Sequence, residues 1–216
     1  MARSGTAPWR HLLIGLHVIT SVGWMAFALA LVVLLTHATR TGDAHAYRMA
    51  DLLDDDILLH FANASAFSGL MLAGMTRWGY TRHWWVLLKF VMTLCQLYAG
   101  IFILGTQLDG LAAGSQRSAT GLTVATGLMA SALAFQAWLS VAKPWRRTPW
   151  SRTTSAPLEA PRWMFAAAVA VPVIDYLTAT FVFGHPAPLF TVVTVLGHPL
   201  WRAMRATARR GTLAPG

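Results

Sequence analysis

Long apolar runs alternate with short polar connections through most of the chain. Residues 11–35, 57–76, 84–106 and 120–142 are each apolar almost throughout. A helix needs about 20 such residues to cross the ~30 Å hydrocarbon core of a bilayer, so each run predicts a membrane-spanning helix. The first run follows Arg3 and Arg10 and has the look of a secretory signal, but it is too long for one. A signal peptide's apolar stretch covers about 7 to 15 residues and closes on a small-residue cleavage site, whereas this run ends in Thr36, His37, Ala38, Thr39 and Arg40. An uncleaved span is expected. The polar, aspartate-rich residues 42–56 contain good helix formers and are expected to continue the second helix beyond the bilayer. Gly79 with Tyr80, Asp109 with Gly110, and Lys143 with Pro144 mark the other boundaries.

The remainder reads less simply. Residues 163–184 can span, but 189–201 make only 13 residues before Arg202, Arg205, Arg209 and Arg210, and Pro199 interrupts them. Two segments turning at residues 185–188 would return those arginines to the side on which the chain began. One span followed by an interfacial tail is the alternative. The expected fold class is therefore all-α, a polytopic transmembrane helical bundle. Residues 1–152 form a four-helix core, and 153–216 add a carboxy-terminal pair, six segments being favoured over five, with a basic tail.

Composition strengthens this picture, since 56% of the chain is hydrophobic and only 12% is charged, about half the charge of a soluble domain. The net charge of +9 invites a nucleic-acid reading, but Lys and Arg sit at the ends of the apolar runs, where they act as topology signals and lipid-headgroup contacts. The expected partner is the bilayer and not nucleic acid; self-association or a protein partner is left open. Arg3, Arg10, Arg77, Arg82, Lys143, Arg146, Arg147, Arg152 and Arg162 would share one side, leaving Arg40, Arg48 and Arg117 on the other. The positive-inside bias then places the amino terminus in the cytoplasm and the chain in the plasma (inner) membrane. Trp78, Trp84, Trp85, Trp145, Trp150 and Trp163 with Tyr80 would form an aromatic belt at the cytoplasmic boundary. Fifteen Arg against two Lys suggest a GC-rich bacterial coding sequence. Cys95 is the lone cysteine, so no intramolecular disulfide exists.

Three stretches carry a resemblance: LHVITSVGWMAFALALVVLL in the first run, SAFSGLMLAGMTRWGYTRHWWVLLKF across the second connection, and WLSVAKPWRRTPWSR after the fourth. They resemble an uncharacterised family of small multi-pass membrane proteins of actinobacterial type and, more distantly, copper-resistance D-type and related unknown-function membrane domains. The nearer resemblance covers about the first 150 residues and implies a four-helix membrane core, with no reaction attached. The distant one hints at copper or haem, without a ligand set that carries over.

Polar residues inside the runs are the remaining clue, because an ionisable group in a span is costly unless paired or hydrated. His17 and Lys89 both lie roughly 8 to 9 Å from the same boundary. Lys89, Thr93, Gln96 and Gly100 follow one helical face, and His17, Ser21, Trp24 and Ala28 offer a similar stripe on the first helix. Asp175 stands roughly 18 Å into the fifth run, just after Pro172. His17, Lys89, Thr93, Gln96 and Asp175 are thus candidates for an intramembrane polar pathway. The structural alternative is that Lys89 snorkels to headgroups, while His17 and Asp175 make local hydrogen bonds. At the opposite boundary Asp56 and His60 are spaced i, i+4, Asp51 and Asp55 repeat that spacing, and His37 and His45 lie nearby. Such a set can hold a divalent ion; it also describes a solvated acidic helix end. One haem between His17 and His60 is disfavoured, because the two differ in depth by some 15 Å or more.

No phosphate-cradling Gly loop, Zn-type Cys pair, nucleophile elbow or His-Glu metalloprotease helix occurs. No convergent acid, base and nucleophile are visible either, so an enzyme is not expected, nor is a resident cofactor. Three functional classes are carried forward, a small transporter or membrane-complex subunit first, a haem- or copper-binding membrane protein as the alternative, and a membrane enzyme last.

Overall fold

A computed structural model describes residues 7–76, 78–115, 118–145, 147–152, 162–183, 188–195 and 197. Five helices are long and apolar enough to cross a membrane: α1 (Ala7–Thr41), α2 (Ala44–Met75), α3 (Trp84–Ala112), α4 (Thr120–Ala142) and α5 (Trp163–Phe183). Among the described residues no strand forms, only an isolated bridge between His83 and Arg147. The protein is a membrane-embedded all-α bundle.

Local chemistry sets the turns. Gly42 ends α1 with φ of 72°, in the left-handed region that glycine enters without a Cβ penalty. Asp43 then caps α2, its carboxylate accepting from the His45 N–H at 2.8 Å. Gly114 at φ 74° closes α3, and Lys143 takes a left-handed conformation at the end of α4.

The α2 helix has 32 residues, about 48 Å at 1.5 Å per residue, well beyond a ~30 Å core. Its apolar residues 57–76 are the spanning part, and the aspartate-rich first turns project past it. The third helix also runs longer than its apolar pattern. It continues through Thr106 to Ala112, which puts Asp109 on the helix; the sequence had suggested a boundary there. Both helices pass through a π segment, Asp54–Leu58 in α2 and Gly100–Gly105 in α3. These wide turns keep each helix going while shifting the face it presents.

The first helix is the axis of the bundle, packing against α2, α4 and α5. Its closest approach to α2 is at Gly23, where a Cβ would stand 2.2 Å from the Phe61 ring. Gly69 on α2 admits the His17 ring closely too, since a Cβ there would lie 2.8 Å from His17 Cε1. Two apolar cores result. One joins Trp24, Ala28, Leu31 and Leu35 to α2, α3 and α4, and the other joins Leu13, Phe67 and Met71 to Met164 and Phe165 of α5. Val33, Leu128 and Val141 are 67–85% exposed on outer faces, at no cost when the surroundings are lipid.

A clasp ties the α2–α3 connection to the segment that follows α4. Thr148, fully buried, donates its hydroxyl to the Thr81 carbonyl at 2.7 Å and its N–H to the Arg82 carbonyl at 3.0 Å. Trp78 packs edge-on to His83 and Trp85 and carries the Lys143 ammonium 5.2 Å from its ring. Residues 189–195 are helical. The rest of the proposed sixth segment with Pro199, the arginine tail, and Arg3, Arg77, Arg117 and Arg146 lie outside the described residues.

Candidate functional site

The polar side chains in the bundle fall into four groups, each fixed by the helices that carry it. Between α1 and α2, His17 Nδ1 lies 3.0 Å from the Ser65 carbonyl and 3.1 Å from Ser68 Oγ. A carbonyl can only accept, and the Ser68 hydroxyl already donates to the Ala64 carbonyl at 2.6 Å. Nδ1 therefore carries the proton and donates to both. One turn along, Ser21 Oγ and Ser65 Oγ are 2.7 Å apart. These bonds pin α1 to α2 beside the Gly69 contact.

Between α3 and α4 runs a longer seam. The Lys89 ammonium donates to Ser140 Oγ, and Ser140 in turn donates to the Gln136 carbonyl at 3.0 Å. Thr93 donates to Gln136 Oε1 at 3.0 Å, Gln136 Nε2 to Gln96 Oε1, and Gln96 Nε2 to the Met129 carbonyl at 3.2 Å. Lys89, Thr93 and Gln96 thus lie on one face of α3, and each finds its partner on α4. Lys89 and His17 are near enough to act on each other electrostatically, yet each is bonded to a different helix.

Asp175 stands apart from both. It is 7% exposed, and its two carboxylate oxygens accept the Phe190 N–H at 2.9 Å and the Thr191 N–H at 2.8 Å. Those N–H groups open the 189–195 helical run, where the first turn has no intrahelical acceptors. The buried acid is a cap for that turn, and its helix packs on α1 and α2, away from the Lys89 seam.

Asp56 and His60 stay near enough to act on each other electrostatically. Asp56 is exposed, while the His60 ring packs edge-on against Tyr176 of α5 at 5.0 Å between centroids. Among the described residues no three His, Cys, Asp or Glu side chains gather as a metal-holding group.

The remaining feature is a cavity of about 210 Å³ enclosed by α1, α2, α3 and α4. Along α1 its wall runs from Trp24 to Leu35, about 16 Å at 1.5 Å per residue. Leu31, Leu58 and Leu104 make its middle apolar, Gln96 and Thr126 lie at one end, and Asp54, Asp55 and Asp109 at the other. The two π segments meet here, since Asp54, Asp55 and Leu58 come from one and Gly100, Ile101, Leu104 and Gly105 from the other. π turns recur at functional sites because they re-aim side chains within an otherwise regular helix. The Asp54 carboxylate packs beside Gly105, whose Cβ would lie 3.9 Å from Oδ2. Trp24 is 2% exposed, and its indole N–H has no hydrogen-bond partner.

Like charges crowd the acidic end. Burial, then Asp55, Asp51 and Asp109, push the Asp54 carboxyl up to about 7. Burial with Asp109 and Asp55 raises Asp51, which faces Asp109 within hydrogen-bonding reach. Asp55 is raised by burial and by the Asp109 and Asp56 charges. A cation entering here would relieve all of them.

Sequence reasoning reached Gln96 but not the cavity. Asp54 reads as one of a solvated acidic run, Asp109 as a boundary and Trp24 as part of an interior-facing stripe with His17, Ser21 and Ala28. No spacing rule reveals the π segments that turn them toward one volume. No family model, curated protein or solved structure matches the chain.

Proposed function

We propose that this membrane protein binds a small solute in the cavity between α1 and α4 and passes it across the bilayer, as a small transporter or as the solute-binding subunit of a membrane complex. The observation that carries this reading is the cavity itself. An apolar chamber within a helix bundle, with polar groups confined to its two ends and two π segments in its wall, has the form of a ligand site. The hydrogen-bonded seam from Gln96 to Lys89 supports a route onward, because it continues from the chamber's inner end toward the opposite boundary.

In this reading the protein lies in the plasma membrane with the start of α1 in the cytoplasm, supported by the arginine distribution. The aspartate end then faces outward and receives the solute. The test is a thermal-stability screen of detergent-purified protein against small amines, carboxylates, sugars and amino acids, repeated on Ala28→Leu, which fills the chamber from α1. Stabilisation of the wild type, but not of Ala28→Leu, by at least one solute is the expected result. Equal behaviour of the two proteins across the whole panel would overturn the chamber as a binding site.

A further inference from the structure

We infer that the solute is a slender organic monocation, an ammonium group on an apolar chain bearing a hydrogen-bond acceptor, held with its charge at Asp54, Asp55 and Asp109 and its chain directed toward Trp24. This rests on the chamber reading and specifies its substrate class. Three independent features of the cavity converge on it.

The first is charge. The groups acting on Asp54 are all carboxylates, from Asp55, Asp51 and Asp109. Asp54, Asp55 and Asp109 line the chamber itself. An anion would meet repulsion from every side, whereas an ammonium would meet several acceptors in a partly desolvated place, where such a contact is strongest.

The second is shape. About 210 Å³ spread along a wall about 16 Å long makes a narrow chamber. Its middle is lined by leucines, which favour a chain of methylene groups or a thin aromatic body over a compact polar solute. Among the described residues no three His, Cys, Asp or Glu side chains gather as a metal-holding group, and a diffuse organic charge does not need the several oxygens at fixed short distances that a divalent metal demands.

The third is the indole of Trp24. Its ring forms part of the chamber wall, and its buried N–H lacks an acceptor. A buried donor of this kind is costly when left unmade. A hydroxyl or ether oxygen on the ligand's chain would satisfy it, so the class narrows to an amine carrying an oxygen some distance from its nitrogen.

The experiment compares 6-amino-1-hexanol, n-hexylamine, 1-hexanol and hexanoate at pH 8, using tryptophan fluorescence and thermal stabilisation of the full chain in a mild detergent. Wild type and Asp54→Asn are measured side by side, Asp109→Asn serving as a second neutralised variant. Removing one of several like charges relieves repulsion, so both variants are expected to fold at least as well as the wild type. The two amines should bind at least tenfold more tightly than hexanol and hexanoate, 6-amino-1-hexanol the better of the two, with the preference over hexanol lost in Asp54→Asn. Hexanol or hexanoate binding as well as the amines would overturn the cation assignment and leave the chamber standing. Displacement of the amine by micromolar calcium would overturn it in favour of a metal site. Binding by none of the four would overturn the class, and the wider solute panel on wild type and Ala28→Leu then decides the chamber separately.

Discussion

Asp175 illustrates how a single residue can mislead when read by depth alone. A carboxylate far inside an apolar helix suggests a proton or ion pathway, yet here it accepts two backbone N–H groups from the turn that begins at Phe190. Asp175→Ala should therefore destabilise the protein by about 1 to 3 kcal/mol through unsatisfied donors, measured by unfolding in mixed micelles, and Asp175→Asn by less. An alanine variant as stable as the wild type would contradict the capping role. Gly23 carries the opposite lesson. Nothing in its neighbourhood of the sequence marks it, but a Cβ there would stand 2.2 Å from the Phe61 ring. Gly23→Ala should cost about 1 to 3 kcal/mol by overpacking, and adding Phe61→Leu should restore much of the loss. Failure of the second substitution to help would show that the strain lies elsewhere.

At the scale of elements, the apolar runs marked the helices well because a bilayer demands their length and composition, and the helical spacing placed Lys89, Thr93 and Gln96 together. The lengths beyond the apolar runs were less legible. Nothing in a hydropathy pattern tells that α3 continues through Gly105 to carry Asp109, or that α2 and α3 each widen into a π turn. The π turn of α3 provides a direct test. Deleting Ile103 should let the helix close to ordinary α geometry, since a π turn accommodates one extra residue, and draw residues 106–112 toward the seam by about 1.5 Å along the axis, displacing Asp109 relative to Asp51. Amine binding should fall while the helical circular-dichroism signal is kept; unchanged binding would show that the π turn does not set the chamber.

The acidic ends of α2 and α3 should also make stability depend on pH. Asp54 is raised from 3.8 to about 7 in the folded chain, so between those values the folded state holds more protons than the unfolded one. Stability should then fall as the pH rises through that window and be highest below it. Asp51, Asp55 and Asp109 face the same group and remain in Asp54→Asn, so the quantity to measure is the thermal-midpoint difference between wild type and that variant. Asp54→Asn should gain on the wild type from pH 5 to pH 8; a gain toward low pH would contradict the crowding.

The molecule as a whole is a bundle tied near one end by Thr148 and the Trp78 cluster, with Asp54 and Asp109 lining the acidic part of its chamber. The sequence could place neither the tie nor the chamber, because both arise from residues brought together by helix packing across long separations. Ala28 is the most informative position, being fully buried yet part of the chamber wall. In a Cys95→Ser background, Ala28→Cys can be challenged with a small cationic thiol reagent, methanethiosulfonate ethylammonium, and compared with Leu13→Cys in the second core and with an anionic reagent of similar size. Fast labelling of Cys at position 28 by the cation, slower labelling by the anion, and none at position 13 is the expected result. Labelling at position 28 as slow as at position 13 would mean that no chamber opens there.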